Sequence, residues 1–365
     1  MKLHFINGFL GSGKTTAIIT ATKSLMRLGK TVGIVTNDRG QFQVDTAFFQ
    51  SSRIPTQQVT GGCFRCSFSE FEEKIAQLQE STSPDIIFAE SVGTCVDLVN
   101  TIFLPIQQNH HLDVDITTYS VFSDIRLFKR WIHHESLPFS DKVDYLFTKQ
   151  IEESKLLVLN KSDLFSADQQ NDILAVAVEQ FPEKIILLQN SLDHSSVLPW
   201  LEALENEEAV KNRAEFIVDY PMYKSGEKEM AWLDQKFLIE SQFPEKIKPA
   251  LIELINLLLV AIQREGFFVG HIKLLLSFPE EGTKISFTSA DFLEKPFTPH
   301  WIESVPDVNI NSLSVMLNAR VAMNADEFSE IVKNAVYQAA LSPQICILSE
   351  EGSSYNPEMS MNRPV

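Results

Sequence analysis

The first half of the chain alternates short apolar runs with stretches of helical periodicity. Apolar or β-branched runs of strand length occur at 3–6, 31–36, 85–89, 154–159 and 185–188. Between the second and third runs, Phe68, Phe71, Ile75 and Leu78 recur at helical intervals. Strands that alternate with helices in this way predict an α/β domain built on a doubly wound, mostly parallel sheet.

The order of the predicted elements changes in the second half. Strands are predicted at 236–240, 271–278, 284–288 and 314–323, and amphipathic helices at 245–265 and 326–340. This pattern predicts a smaller α+β domain, open-faced and ferredoxin-like. We therefore predict a first domain over 1–218, a polar linker over 219–230, a second domain over 231–348 and a flexible tail over 349–365.

The first apolar run leads directly into a complete phosphate-binding loop. The segment fits the pattern G-x-x-x-x-G-K-S/T, whose glycines allow backbone N–H groups to surround phosphates. Lys14 is predicted to reach the β- and γ-phosphate oxygens, and Thr15 to bind Mg²⁺. The helix that follows would point its positive end at the same phosphates. The predicted nucleotide contacts of this loop are Gly8, Gly11, Ser12, Gly13, Lys14, Thr15 and Thr16.

Two further segments are predicted to contribute to this site, because parallel strands bring their carboxyl ends to one edge of the sheet. Glu90 ends the third run and can hold Mg²⁺ directly or through water, while Gly93 lets its N–H approach the γ-phosphate. Asp38 lies in the polar loop after the second run, and Asp45 lies farther on. Both are candidates for a mobile segment that senses the γ-phosphate or Mg²⁺, with an ordinary solvated turn as the alternative.

The fourth apolar run ends in Asn160, Lys161, Ser162 and Asp163. Asn160 offers an amide to the base edge, and the Lys161 stem can lie over the purine. The Asp163 carboxylate can accept hydrogen bonds from N1–H and the exocyclic amine of guanine, which adenine does not offer there. These residues predict GTP rather than ATP, and residues 189–191 are a candidate second wall for the base.

Cys63 and Cys66, separated by two residues, follow two glycines and precede a predicted helix. Their thiols can bind one soft or borderline metal ion, and a helix N-terminus favours the thiolate form. Ser67 and Glu70 have the spacing of a capping box at that N-terminus. Two ligands do not close a structural zinc site, so a metal site here would be open or shared. A redox pair and a buried structural pair are the alternatives.

Two histidine pairs add candidate metal ligands. His110 and His111 follow a predicted helix at 96–108 and are candidates for zinc, cobalt or nickel. His133 and His134 are adjacent on another predicted helix, so their side chains point apart and do not readily share one ion.

Composition narrows the classes of function. The chain has 365 residues, 44% of them hydrophobic, which is enough for two cores. A net charge of −17 argues against a nucleic-acid or anionic-membrane surface, since either needs clustered Lys and Arg. Four cysteines are too few for a disulfide framework, and no signal peptide or membrane span is predicted. We therefore expect a cytoplasmic protein.

Taken together, these motifs resemble the CobW-type metallochaperone GTPases, relatives of the urease and hydrogenase nickel-insertion GTPases within the SIMIBI class. The matching segments, in family order, are 8–16, 37–40 with Asp45, 62–66, 90–93 and 160–163. The second half resembles the family's second domain in outline only. Two positions differ from the family pattern. Arg65 replaces the middle cysteine of the family motif, and Asp38 replaces a glutamate.

The resemblance implies a GTPase of slow intrinsic turnover that produces GDP and phosphate, with Lys14, Asp38 and Glu90 at the reaction and Asp38 orienting the water. It also implies a transition-metal ion beside the γ-phosphate, Zn²⁺ or else Co²⁺ or Ni²⁺. The implied ligands of that ion are Cys63, Cys66, Asp38 and His110. Hydrolysis would release the ion to a client metalloprotein docked partly on the second domain. A homodimer is a further expectation.

Two other functions remain open from the sequence. A GTP-dependent assembly or reactivation chaperone for a metallo- or corrinoid enzyme would use the same nucleotide site without binding metal itself. An ATP-using small-molecule kinase would require residues 160–163 to be coincidental, and it would need a second anion site that the sequence does not display.

Overall fold

Two compact units make up the chain in a computed structural model. The structure describes residues 1–37, 42, 44–60, 62–109, 112, 114–205, 216–278, 282–293, 301–307, 309–341 and 344–357. The division falls between Gly226 and Glu227, somewhat beyond the predicted boundary at 218. The second unit also includes residues 44–51, which the sequence pattern assigned to the first domain.

The secondary structure comprises short strands and helices of varied length. The strands are β1 (Lys2–Gly8), β2 (Val32–Asn37), β3 (Thr56–Val59), β4 (Ile86–Glu90), β5 (Asp115–Asp124), β6 (Leu156–Asn160), β7 (Ile185–Gln189), β8 (Ala231–Glu240), β9 (Val269–Ser277), β10 (Gly282–Phe287), β11 (Ser312–Val321) and β12 (Cys346–Tyr355). The helices are α1 (Lys14–Arg27), α2 (Val44–Ser51), α3 (Phe68–Thr82), α4 (Leu104–Asn109), α5 (Ile125–Ile132), α6 (Asp141–Glu153), α7 (Ala167–Gln180), α8 (His194–Leu204), α9 (Tyr220–Glu229), α10 (Ile247–Arg264), α11 (Trp301–Ser304) and α12 (Ala325–Ala339).

The first unit is built on a parallel sheet with the strand order β3-β2-β4-β1-β5-β6-β7. The chain winds to one side of β1 and then to the other, which confirms the predicted doubly wound α/β fold. The register pairs Ile6 of β1 with Glu90 of β4, and Asp124 of β5 with Asn160 of β6. The carboxyl ends of these strands therefore meet at one edge, where folds of this kind bind ligands.

Two strands of this sheet, β3 and β5, are absent from the sequence-based prediction. β3 is four residues long and largely polar, and β5 is a central strand that carries buried hydroxyls. Thr118 of β5 is hydrogen-bonded to His4 Nδ1 at 2.8 Å, and Ser120 accepts a bond from Trp200 Nε1 at 3.0 Å. Because partners distant in sequence satisfy these hydroxyls, the local pattern does not identify a core strand.

The second unit contains a five-stranded antiparallel sheet with the order β10-β9-β11-β8-β12. Apart from the edge strand β10 and the short helix α11, the sequence of elements is β8-α10-β9-β11-α12-β12, which confirms the predicted ferredoxin-like arrangement. α10 and α12 pack against each other and against the sheet, and they enclose an apolar core with the inward side chains of β8, β9 and β11.

Two segments differ from the predicted domain plan. Residues 219–230, predicted as a linker, are mostly helix α9, because Tyr223 is fully buried and a Cβ on Gly226 would lie only 2.5 Å from the Lys142 carbonyl oxygen. The predicted flexible tail begins inside β12, which pairs with β8 as far as Tyr355. The polar composition of β12 does not indicate a strand in the sequence. Its polar side chains are satisfied by distant partners, since Ser353 Oγ donates to the Asp234 carboxylate at 2.5 Å. Residues 358–365 of the predicted tail lie outside the described residues.

No helix in the described ranges is long and apolar enough to cross a membrane.

Candidate nucleotide and metal site

The phosphate-binding loop connects β1 to α1 through glycines in left-handed backbone conformations. Gly8, Gly11 and Gly13 have φ angles of 137°, 74° and 89°. A Cβ on Gly13 would lie 2.2 Å from the Asn160 side-chain nitrogen, and one on Gly8 would lie 2.1 Å from the Phe122 carbonyl oxygen. The loop therefore depends on glycine at both positions, for its conformation and for the close approach of its neighbours.

Lys14 and Ser12 are arranged as a phosphate cradle requires. Lys14 is buried, and its Nζ donates to the carbonyl oxygens of Gly8 at 2.6 Å and Phe9 at 3.4 Å, so the ammonium group lies over the loop. Ser12 Oγ is buried and has no hydrogen-bond partner among the described residues. α1 begins at Lys14, so its positive end faces the cradle. These features fit the phosphates of a nucleotide.

Thr15 and Glu90, the pair predicted to hold Mg²⁺, are adjacent. Thr15 Oγ1 donates to Glu90 Oε1 at 2.9 Å, and both residues are buried. A hydroxyl and a carboxylate are hard oxygen ligands of the kind that Mg²⁺ prefers. The loop after β4 lies against the phosphate loop, since a Cβ on Gly93 would come within 3.1 Å of the Leu10 backbone nitrogen. Gly93 is therefore next to the cradle, as the motif requires.

Side chains of α6, which the sequence analysis missed, hold the loop after β4 in place. Gln150 Nε2 donates to the carbonyl oxygens of Gly93 at 3.1 Å and Cys95 at 2.8 Å. Glu153 accepts from the backbone N–H of Asp97 at 2.9 Å. Both α6 side chains are buried. The sequence could have indicated this role through the polar residues on the apolar face of the helix, since buried polar groups require partners.

Asn160 makes hydrogen bonds that the predicted contact with the base does not include. Its Nδ2 donates to the Ser12 carbonyl oxygen at 2.7 Å, and its Oδ1 accepts from the Ser191 N–H at 3.1 Å and the Ser191 hydroxyl at 2.7 Å. The carboxamide thus joins the phosphate loop to the predicted second wall of the base site. Asp163 lies in a 3₁₀ turn and is exposed, so its carboxylate is accessible to a base.

Lys161 is held beside the base site by a buried carboxylate. The residue has a φ of 63°, and its Nζ lies 2.9 Å from Asp124 Oδ2. Arg126 also pairs with Asp124, at 2.7 Å. Burial alone would raise the pKa of Asp124, but the charges of Lys161 and Arg126 outweigh burial and hold that pKa well below its usual range. Lys161 is therefore fixed at its ammonium end, as a residue whose stem covers a purine would be.

The two cysteines of the C-x-x-C segment lie in contact. Cys63 Sγ and Cys66 Sγ are 3.1 Å apart and do not form a disulfide. Cys63 is buried, whereas Cys66 is exposed. Gly62 has a φ of 157°, and a Cβ there would lie 2.9 Å from the Cys66 Cβ. The glycine before the pair therefore permits the tight turn that brings the two sulfurs together.

The expected helix-end activation of the cysteines is wrong for Cys63. The hydrogen bond with Cys66 favours the Cys63 thiolate, but Cys95 and burial outweigh that bond and raise the pKa of Cys63 to about 11. The predicted capping box is also absent, because the Ser67 side chain makes no cap hydrogen bond. Glu70 instead accepts from the Thr60 N–H at 3.0 Å.

The cysteine segment is hydrogen-bonded to the end of β2. Asn37 Nδ2 donates to the Gly62 carbonyl oxygen at 2.6 Å, and Asn37 Oδ1 accepts from the Phe64 N–H at 3.0 Å. The segment is therefore fixed at the same sheet edge as the phosphate loop, next to the start of the predicted switch loop.

Several predicted residues are not near one another or lie outside the described residues. Asp38 and His110 are both outside. Asp45 lies on α2 in the second unit, where it accepts from Lys273 and from Lys284, the latter at 2.6 Å. Burial would raise the Asp45 pKa, but the two lysines hold it well below its usual range. Within the described ranges, no group of three or more His, Cys, Asp or Glu side chains is arranged to hold a metal ion.

A family model matches much of this chain. The match is to the CobW/HypB/UreG nucleotide-binding domain and covers residues 2–189, which is more than half of the sequence. The chain belongs to the CobW/HypB/UreG family. Membership confirms the predicted resemblance and makes the chain a CobW-type P-loop GTPase. No curated protein matches the chain significantly.

Solved structures that are similar to this chain include the following two. One is HypB from Helicobacter pylori in complex with nickel, with 15% identity, a TM-score of 0.43, and coverage of 59% of this chain and 92% of that one. Another is the Zn(II)-bound YjiA GTPase from E. coli, with 11% identity, a TM-score of 0.37, and coverage of 92% of this chain and 98% of that one.

Proposed function

We propose that this CobW/HypB/UreG family member is a GTP-hydrolysing metallochaperone. It binds a transition-metal ion of the zinc, cobalt or nickel class at Cys63 and Cys66 and delivers it to a client protein in a nucleotide-dependent way. The observation that supports this most directly is the contact of two reduced thiols, 3.1 Å apart, at the sheet edge that also holds the phosphate loop.

The nucleotide half of the proposal rests on the phosphate loop and its neighbours. The loop backbone and Lys14 would hold the phosphates, while Thr15 and Glu90 would hold Mg²⁺ through oxygen ligands. The exposed Asp163 carboxylate would select guanine by accepting hydrogen bonds from its donor edge. Bound Mg²⁺ would supply charge neutralisation for the phosphates.

Hydrolysis in this proposal depends on positioning and electrostatics. Lys14 and the positive end of α1 stabilise charge on the phosphates, and Asp38 is proposed to orient the attacking water. Among the described residues we identify no arginine finger, so we expect slow intrinsic turnover. A client or partner that completes the site would then raise the rate.

The metal half rests on the cysteine pair and its connection to the nucleotide edge. Two thiols provide soft ligands, and Cys66 is exposed, so an ion can enter and leave. Asn37, the last residue of β2, hydrogen-bonds the backbone of Gly62 and Phe64 on either side of Cys63, and it directly precedes the predicted switch loop. A change in that loop with nucleotide state would therefore reach the cysteine segment. We propose that the client docks partly on the second unit.

A second candidate function has a specific observation in its favour. A pKa of about 11 keeps Cys63 protonated near neutral pH, and metal binding must displace that proton. Arg65 adds a positive charge between the two cysteines in sequence. A GTP-dependent protein chaperone that binds no metal itself is therefore the alternative.

A metal titration separates the two functions. Zn²⁺ and Co²⁺ are titrated into the reduced protein with and without a non-hydrolysable GTP analogue and Mg²⁺. The wild type is compared with a Cys63→Ser/Cys66→Ser variant and with Cys346→Ser as the matched control, because Cys346 is an exposed cysteine in the second unit.

The metallochaperone predicts one equivalent of metal, tighter binding with the analogue, and loss in the double variant only. If the analogue tightens metal binding tenfold, metal must tighten analogue binding tenfold, about 1.4 kcal/mol in each direction. Absence of binding in both nucleotide states would overturn the proposal and favour the protein chaperone.

A further inference from the structure

Gln150 is a buried polar residue on the apolar face of α6. It is 1% exposed, and most of the other buried positions of this helix are apolar. Its Nε2 donates to the carbonyl oxygens of Gly93 at 3.1 Å and Cys95 at 2.8 Å. Because both partners are acceptors, the atom between them must be the amide nitrogen. The orientation of the carboxamide is therefore fixed by its surroundings.

The oxygen of this carboxamide is not used in the same way. Gln150 Oε1 is buried and has no hydrogen-bond partner in the described part of the chain. A buried polar atom without a partner destabilises the folded state. An apolar side chain of similar size would avoid this penalty, but it could not donate to the two carbonyl groups. The donor end is therefore the part of Gln150 that explains a glutamine at this position.

The two carbonyl groups that Gln150 binds belong to a tight turn over residues 92–95. The Cys95 N–H donates to the Val92 carbonyl oxygen at 3.0 Å, which closes a β-turn with Gly93 and Thr94 at its centre. In a trans peptide the carbonyl and the N–H of one plane point in opposite directions. The bond that holds the Val92 carbonyl therefore also sets the direction of the Gly93 N–H.

The 92–95 turn lies against the phosphate loop and is tied to the strand that leads into it. A Cβ on Gly93 would lie 2.7 Å from Leu10 Cδ2 and 3.1 Å from the Leu10 backbone nitrogen, so no side chain separates the turn from the loop. Asn7 of β1, the last residue before the loop's first glycine, donates through Nδ2 to the Cys95 carbonyl oxygen at 3.0 Å. The turn is therefore held from two sides, by β1 and by α6.

We infer that Gln150 is a positioning residue that gives the site a preference for GTP over GDP. It holds the 92–95 turn so that the Gly93 N–H is directed at the terminal phosphate, which only the triphosphate has. The inference rests on the proposed GTPase function and on the predicted contact between Gly93 and the γ-phosphate. Gln150 acts through Gly93 and is not assigned a contact with the nucleotide.

Affinities for GDP and for a non-hydrolysable GTP analogue, measured with Mg²⁺ and without a transition metal, test this role. Gln150→Met keeps the approximate length and volume of the side chain and removes the donor. We expect it to weaken analogue binding at least about tenfold, because a hydrogen bond to a charged phosphate is misdirected, and to leave GDP affinity within about twofold. A side chain that only stabilises the fold would change both affinities together or neither.

Glu153→Gln is the matched control on the same helix. The Glu153 carboxylate accepts from the N–H groups of Asp97 and Val99, which lie beyond the 92–95 turn. We therefore expect this variant to keep the wild-type ratio of analogue affinity to GDP affinity. A ratio that falls as far as in Gln150→Met would overturn the specific role of Gln150.

A double-mutant cycle tests whether Gln150 acts through Gly93. Gly93→Ala places a methyl group against Leu10 and should displace the turn, so it should weaken analogue binding by itself. If both residues act through one contact, Gln150→Met should weaken analogue binding by less than about twofold in the Gly93→Ala background. Additive losses would overturn the inference.

A measurement on the wild type keeps the inference falsifiable if a variant does not fold. Labelling valine with ¹³C at the carbonyl and glycine with ¹⁵N selects the Val-Gly peptide bonds, which occur at 32–33, 92–93 and 269–270. In NMR spectra the Gly93 amide signal should differ between the GDP and analogue complexes, while the signals of Gly33 in β2 and Gly270 in β9 should not. An unchanged Gly93 signal would overturn the inference, because Gln150 is proposed to act through that N–H.

The outcomes separate this inference from the proposed function. Equal losses of GDP and analogue affinity in Gln150→Met, or no loss of either, would overturn the positioning role and leave the GTPase proposal intact. Absence of GTP-analogue binding by the wild type would overturn both. No arm contains a transition metal, so failure of the metal titration would leave this inference standing.

Discussion

Asn160 and Asp163 belong to one short motif, yet their different burial indicates different roles. The carboxamide of Asn160 is buried and makes three hydrogen bonds that join Ser12 to Ser191. Asp163 is exposed. We therefore predict that Asn160→Ala destabilises the first unit, whereas Asp163→Asn mainly changes nucleotide choice.

The size of the Asn160→Ala effect follows from the bonds lost. Each net hydrogen bond contributes about 1 kcal/mol, so the loss of three costs about 3 kcal/mol. For a unit of this size, 1 kcal/mol shifts Tm by about 2–4 °C, so we expect a fall of about 6–12 °C. Ser191→Ala removes two hydroxyl bonds, the one to Asn160 and the one from Gln189, and keeps the backbone bond to Asn160. It should cost about 2 kcal/mol and serves as the graded control.

The Asp163→Asn effect should appear in binding and not in stability. An exposed substitution of this kind changes unfolding free energy by less than about 0.5 kcal/mol. Loss of a charged acceptor for guanine should reduce the preference for GTP over ATP by at least about tenfold. A competing ATP-binding kinase function predicts no such preference in the wild type.

Two assays separate the roles. Thermal unfolding without nucleotide reports the Asn160 bridge, and competition of GTP and ATP against a fluorescent GDP analogue reports base selection. A Tm for Asn160→Ala within about 2 °C of wild type, together with loss of GTP preference, would refute the bridging role.

Three further predictions concern buried charge and the cysteine turn. His4 is buried, and burial, aided by a nearby lysine, lowers its pKa to about 3. The folded state therefore keeps a neutral ring, while the unfolded chain binds a proton below about pH 6.5. Wild type should therefore lose up to about 1.4 kcal/mol per pH unit between about pH 6.5 and 3 relative to His4→Gln, and equal slopes in denaturant unfolding would contradict this. Asp45→Asn leaves two largely buried lysines unneutralised and should lower the free energy of unfolding by about 3–5 kcal/mol at pH 7. Because the Asp45 pKa is depressed, wild type should keep this contribution above about pH 4 and lose it only below that pH. A free energy of unfolding that is unchanged at pH 7 would refute the role of Asp45. Gly62→Ala should displace Cys66 and weaken Zn²⁺ binding about tenfold with GTP-analogue affinity unchanged, measured by the same metal titration, and equal affinities would count against the tight turn.

Much of the nucleotide site could be predicted from the sequence because its requirements are local. Closely spaced glycines, a lysine and a threonine form the phosphate loop from neighbouring backbone positions, so spacing alone identifies it. The alternation of apolar runs and helical periods similarly predicts the parallel sheet. The adjacency of Thr15 and Glu90 then follows from strand register, because parallel strands end at a common edge.

The remaining features depend on contacts between residues far apart in sequence. Asn160 and Ser12 are 148 residues apart, and no local pattern indicates that the carboxamide binds the phosphate loop. Asp45 follows the predicted switch loop in sequence, yet its lysine partners are on β9 and β10. A side chain's partner is decided by which elements pack together, and periodicity reports only which face is buried.

The cysteines show the same division most directly. The sequence alone determined that Cys63 and Cys66 are close, because two intervening residues and preceding glycines bring their sulfurs together, and from this it predicted a shared ion. Only the tertiary structure placed this segment beside the nucleotide edge, because Asn37 at the end of β2 hydrogen-bonds the backbone of Gly62 and Phe64. Local spacing determines which chemistry is available, and strand order decides which residues complete it.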